Sequence, residues 1–235
     1  FERNYGIFSE REQERLRSAS VLIVGCGGIG AAVAVILARS GVERFTLCDF
    51  DVYSPSNMNR QIACFTDTLG RKKSDVVREG LLRINPEANV TAYTELLSHQ
   101  EIEKLIPKAD VVFPAADDLA FSLIVFRAAQ RLGKPALVVY PAGTWAHVTI
   151  IRPGAPPLES LEGVPKLAGY EDLREMLTVR RYKFGTYFYV PFADWRIDYY
   201  RRFIDGDVPP AQICPTVWTA SALGALEALK MLSGK

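Results

Sequence analysis

Of all the segments in this chain, Gly25-Cys26-Gly27-Gly28-Ile29-Gly30 most narrows the folds open to it. The six residues follow an apolar strand-like run and open an apolar helix-like one. Glycines at such a turn let the backbone approach a ligand closely, and the first amides of the following helix present unpaired N–H groups to a phosphate. A turn of this type belongs on a parallel sheet, and the rest of the first half predicts one. Strand-like segments at 21–25, 45–48 and 90–93 alternate with helix-like segments at 29–39, 73–84 and 100–105. Alternation of this kind implies crossover helices. A strand at 111–113, a helix at 119–132 and a strand at 136–140 continue it, with Gly133-Lys134-Pro135 as the helix stop. The apolar runs 136–140 and 147–151 flank Pro141-Ala142-Gly143-Thr144, which predicts a hairpin-like return at the end of the sheet.

This α/β pattern defines a core at 1–152. Residues 153–213 turn first to Pro and Gly and then to aromatics and arginines, and are expected to form an insert or lid on a single domain. Residues 214–235 carry helical apolar spacing over 216–232, closed by Gly234, and predict a C-terminal helix packed back on the sheet. A chain of 235 residues with 49% apolar and 23% charged residues can bury a core without staples, which excludes a disordered chain or a disulfide scaffold. The net charge of +1 argues against a surface built wholesale for nucleic acid or anionic membrane. No apolar run has membrane-spanning length and no signal-peptide pattern opens the chain, although a first residue of Phe1 leaves open what precedes it. Cys26, Cys48, Cys64 and Cys214 are scattered, so a reducing, cytoplasmic setting is expected.

Asp49 ends the second strand, where a carboxylate can accept hydrogen bonds from ribose hydroxyls. Taken with the glycine loop, this is a Rossmann signal that would suit NAD. The next segment argues otherwise. Asp49-Phe50-Asp51 runs into Ser56-Asn57-Met58-Asn59-Arg60-Gln61 and then Gly70-Arg71-Lys72-Lys73, which a dehydrogenase does not need. With Ile84-Asn85-Pro86, the Ala109-Asp110-Val111-Val112 strand, Asp117 and the ending Glu227-Ala228-Leu229-Lys230-Met231-Leu232-Ser233-Gly234, the chain resembles the ubiquitin-activating-type adenylyltransferases, the ThiF/MoeB/HesA family. The resemblance covers 16–152 and 214–235. It implies a Rossmann-like, mostly parallel sheet with flanking helices and an antiparallel extension.

The resemblance also implies chemistry. Activating a carboxylate with ATP requires attack on the α-phosphate as pyrophosphate leaves, so triphosphate charge must be held and neutralised. Gly25, Gly27, Gly28 and Gly30 would cradle the nucleotide, with Asp51 beside it. Asp49 would hold the ribose, Arg60 and Lys73 the phosphates, and Asp117 a Mg2+ ion. Asn57 would fix its loop or touch the nucleotide. Catalysis would fall to Arg60, Lys73 and Asp117. Asp118 is the alternative metal ligand, and one of the two aspartates is expected to cap the helix that follows. The family's zinc-binding Cys-x-x-Cys pairs are missing, so no zinc is expected. Cys26 and Cys48 read as core residues, and Cys64 stands close to the Arg60-Gln61 motif. Cys214 lies near the start of the last helix, where the dipole would favour a thiolate, as nucleophile or as structural thiol. Arg3 in Arg3-Asn4-Tyr5 is the nearest match to the family arginine that reaches a partner's nucleotide.

A homodimer follows from the resemblance and from an apolar C-terminal half without its zinc staple. Between Arg174 and Arg202, the basic residues Arg180, Arg181, Lys183, Arg196 and Arg201 interleave with Tyr182, Phe184, Tyr187, Phe188, Tyr189, Trp195, Tyr199 and Tyr200. Such a cluster can pack on the sheet, clamp a peptide tail or stack RNA. Three functions stay open. The first is adenylation of the C-terminal carboxylate of a ubiquitin-like sulfur carrier or a peptide. The others are activation of a carboxylate on a modified tRNA base, as in a dehydratase branch, and silent binding by an inactive subunit.

Overall fold

The computed structural model describes residues 1–158, 160, 169–178 and 194–235. Among them run α1 (Glu10–Ser18), β1 (Ser20–Val24), α2 (Gly28–Arg39), β2 (Arg44–Cys48), α3 (Lys73–Ile84) and β3 (Asn89–Tyr93). There follow α4 (His99–Leu105), β4 (Val111–Pro114), α5 (Leu119–Arg131), β5 (Ala136–Ala142) and β6 (Trp145–Ile151). The last helices are α6 (Tyr170–Thr178), α7 (Ile197–Asp205) and α8 (Cys214–Ser233). The six-stranded sheet has the order β3-β2-β1-β4-β5-β6, parallel except for β6. The order reverses direction between β1 and β4, the crevice where open α/β sheets take ligands.

Alternating side chains build one core on each face. Val21 and Ile23 of β1 and Val111 and Phe113 of β4 join the cluster under α2 and α8, while Leu22, Val24 and Val112 face α4 and α5. A central strand buried on both faces must be apolar throughout, and Ser20-Val21-Leu22-Ile23-Val24 and Val111-Val112-Phe113 are nearly so. α2 is almost continuously apolar because the sheet and α8 both cover it. β5 and β6 pair from Ala136↔Ile151 to Ala142↔Trp145, so the expected return is a hairpin closed by Gly143-Thr144. It is longer than the 136–140 and 147–151 runs because the pairing continues to the turn.

The last helix starts at Cys214, two residues ahead of the expected start, with Pro215 in its first turn, where a missing N–H costs nothing. At the other end Gly234 caps it in the left-handed conformation. α1 has no counterpart in the sequence reading. It is set by a capping box, in which Ser9 Oγ accepts from Glu12 N and Glu12 accepts from Ser9 N. In the expected insert, α6 packs on α5 and α7 covers Ala142 and Trp145. Arg180, Arg181, Tyr182, Lys183, Phe184, Tyr187, Phe188 and Tyr189 lie outside the described residues. No helix among the described residues is long and apolar enough to cross a membrane.

Candidate active site

A cavity of about 340 Å³ opens at the carboxyl ends of β1, β2 and β4, within the roughly 300–1,000 Å³ of ligand sites. Three loops make its floor. Gly25 N donates to Cys48 O and Ala115 N donates to Val24 O, both at 2.7 Å, which ties the glycine loop between its neighbouring strands. That closeness explains the glycines. At Gly25, φ is +99° and a Cβ would sit 2.5 Å from Ala115 O, while at Gly30 a Cβ would sit 1.9 Å from Gly25 O. Only glycine fits either position.

Asp49 enters from the end of β2. Its Oδ2 accepts from Cys26 N at 2.6 Å and its Oδ1 from Asp51 N at 2.9 Å. Burial pushes its carboxyl above the ordinary range, against the pull of those two amides and of Lys73. Lys73 opens α3 and is 5% exposed. Its Nζ donates to Asp51 Oδ2 at 3.0 Å, a buried cation against a half-exposed carboxylate. Ser74 Oγ lies within hydrogen-bond reach of Asp49 O and Tyr93 O, fastening α3 to β2 and β3. Lys73 is therefore positioned by backbone on three elements.

The loop after β4 carries both aspartates, and they differ. Asp118 Oδ1 accepts from Phe121 N at 3.0 Å, capping α5, and its Oδ2 accepts from Tyr170 Oη at 2.7 Å. Asp117 is exposed, lines the cavity and has no hydrogen bond or ion pair with a described residue. No cluster of three or more His, Cys, Asp or Glu with metal-site geometry occurs among the described residues.

Of the residues singled out in the sequence, Gly25, Gly27, Asp49, Asp51, Lys73 and Asp117 line the cavity together. Gly28 and Gly30 lie in the first turn of α2 behind it. Asn57 accepts from Ser54 N at 3.0 Å and so fixes its own loop. Arg60 is turned back on that loop, with Nη1 donating to Ser56 O at 3.2 Å and Asn59 Oδ1 at 2.9 Å, and does not line the cavity. Its stem lies over Gly28, and Arg60 O accepts from Trp218 Nε1 at 2.9 Å. Arg3 is exposed in the short turn Glu2–Gly6, and Cys214 is the half-buried first residue of α8. Neither lines the cavity.

Burial raises the thiols of Cys26 and Cys64, and pushes Cys48 up to about 12, which makes all three poor nucleophiles near neutrality. Gln61, 4% exposed, sends Nε2 toward Gly27, and its Oε1 has no hydrogen-bond partner among the described residues.

The sequence reading missed Tyr170 and Arg174, which cover the cavity from α6, and Phe121 and Glu95 in its wall. A signal exists: Tyr170, Leu173, Arg174 and Leu177 follow helical spacing. What the spacing does not carry is which cavity the helix lands on.

The ThiF family model matches residues 1–235. Molybdopterin-synthase adenylyltransferase of Escherichia coli (strain K12) is 42% identical over 108 residues, covering 46% of this chain and 43% of that protein. The sulfur carrier protein ThiS adenylyltransferase of the same organism is 31% identical over 141 residues, 60% of this chain and 56% of that protein. Crystal structures of E. coli MccB, one with MccA-N7isoASN and one with ATP, align at TM-scores of 0.73 and 0.69. Both are 26% identical, over 95% of this chain and 59% and 58% of theirs. The matched region thus spans about half the length of these curated relatives.

Proposed function

We propose, from the premise that this chain belongs to the ThiF family, that it uses ATP and Mg2+ to adenylate the C-terminal carboxylate of a ubiquitin-like sulfur carrier or a peptide. The observation that carries this reading is the convergence of the glycine loop, Asp49, Lys73 and Asp117 on one cavity at the strand-order reversal. Relatives named as adenylyltransferases of molybdopterin synthase and of a sulfur carrier support it, as do neighbours solved with ATP and with MccA-N7isoASN.

In the proposed reaction a substrate carboxylate oxygen forms a bond to the α-phosphorus while the bond to pyrophosphate breaks. The amides at the start of α2 face the phosphates, and Asp49 accepts from the ribose with the lone pairs its amide partners leave free. Lys73 neutralises charge on the leaving group, and Arg60 would do so by exchanging Ser56 O and Asn59 Oδ1 for phosphate oxygens. Mg2+ is commonly held by one or two carboxylates plus substrate phosphates, and Asp117 is such a carboxylate. When bound, the ion supplies further charge neutralisation on the phosphates.

We read 1–152 as the nucleotide-binding core, 153–213 as its insert and 214–235 as its packing helix. A homodimer is proposed, and four free thiols suit a cytoplasmic setting. Carboxylate-dependent exchange of labelled pyrophosphate into ATP, run with carrier proteins, peptides and tRNA, tests the set. Exchange with tRNA alone would move the assignment to the dehydratase branch, and binding without any exchange would move it to a silent subunit.

A further inference from the structure

The roof of the cavity belongs to α6, which lies outside every motif discussed so far. Tyr170 and Arg174 are one helical turn apart on it, and both line the cavity. Between them Leu173 is 0% exposed in the core beside α5, so the helix is anchored by its apolar side. Tyr170 meets Phe121 edge-on at 6.3 Å, and its hydroxyl donates to Asp118 at 2.7 Å. Asp118 thereby joins two helices, capping α5 with one oxygen and holding α6 with the other. The hydrogen bond to that carboxylate raises the tyrosine's pKa and keeps its proton in place.

The charges of the lining add a second observation. Five carboxylates, Asp49, Asp51, Glu95, Asp117 and Asp118, face two cations, Lys73 and Arg174. Lys73 shares its charge with Asp51. Arg174 is exposed and makes no ion pair or hydrogen bond with a described residue. A triphosphate brought into an acidic lining needs cations, and a guanidinium presents the planar donor fork that phosphate oxygens match.

We propose that α6 is a nucleotide-retaining roof in which Arg174 binds phosphate oxygens of ATP and the Tyr170–Asp118 hydrogen bond holds Arg174 in position. The inference rests on the ATP reading above and gives the insert a specific task there. Calorimetry with ATP and Mg2+, AMP and adenosine on the wild type, Arg174→Gln and Arg174→Lys tests it, with stopped-flow release of ATP from Tyr170→Phe. Arg174→Gln is expected to weaken ATP roughly tenfold or more, as for a lost charge-assisted hydrogen bond. Adenosine affinity should stay unchanged, Arg174→Lys should fall between, and Tyr170→Phe should release ATP faster. Equal ATP affinity in Arg174→Gln and wild type overturns the roof while leaving the ATP site standing, and so does parallel loss of ATP and adenosine. A wild type that binds no ATP overturns both.

Discussion

Asp49 carries opposed effects: burial pushes its carboxyl up while the amides of Cys26 and Asp51 pull it down. Burial is the larger cause, so the folded-state pKa lies above the unfolded one, and ionising Asp49 costs the free protein stability above that raised value. The cost shrinks as pH falls from that value and is gone below the unfolded one. Ribose binding runs the other way, because its hydroxyls donate to the ionised form. Adenosine affinity measured by calorimetry should therefore drop as pH falls into the raised carboxyl range, and a flat profile would remove Asp49 from the ribose. For Lys73→Ala, Arg60→Ala and Asp117→Ala, pyrophosphate exchange should fall about a hundredfold or more, well beyond any loss of ATP binding, since charge on the leaving group grows in the transition state. Exchange near the wild-type rate would leave these residues outside catalysis. Gly25 and Asp49 are legible in the sequence because a tight turn and a strand end dictate them, and Lys73 because it falls on a motif of the family that the chain resembles. Arg174 is not, because its position depends on where α6 lands, and neither is the turn of Arg60 toward Ser56 and Asn59.

Three helical glycines separate close packing from propensity. A methyl group at Gly30 would strike backbone oxygen at 1.9 Å, and one at Gly224 would lie 2.5 Å from Val139 Cγ2, where α8 crosses β5. Gly80 in α3 has nothing within 4 Å of such a methyl. Denaturant unfolding should show Gly80→Ala stabilised by about 0.5–1 kcal/mol through helix propensity. Gly224→Ala should lose roughly 1–3 kcal/mol by overpacking, and Gly30→Ala should lose nucleotide binding as well. A neutral Gly224→Ala would mean that α8 and β5 shift apart easily. At this scale the strands and crossover helices follow from apolar runs and glycine stops, as at α3, whose limits match the expected 73–84. α1 is harder to read, because a nine-residue polar segment shows itself mainly through its Ser9 and Glu12 cap.

At the scale of the whole molecule, the outer face of α8 carries an exposed apolar surface among the described residues. Trp218, Leu223 and Leu226 are each more than 40% exposed on it, with Ile213 before them and Met58 on the neighbouring loop. Burying that face against a second copy would account for it, and light scattering should give a dimer that Leu223→Glu with Leu226→Glu converts to monomer. A wild-type monomer at micromolar concentration would contradict the assembly. Trp218 also bonds to Arg60 O, so a partner seated on α8 lies next to the proposed phosphate machinery. Cys214, at the start of the same helix, enters no step of adenylation, and Cys214→Ala should keep pyrophosphate exchange intact. The central claim is that this cavity forms an acyl adenylate, and carrier-dependent or peptide-dependent exchange of labelled pyrophosphate into ATP reads that step directly. The account predicts exchange that requires Mg2+ and a free C-terminal carboxylate on the substrate and that disappears in Lys73→Ala. Exchange undiminished in Lys73→Ala, or a protein that binds NAD more tightly than ATP with Mg2+ and exchanges nothing, would contradict it.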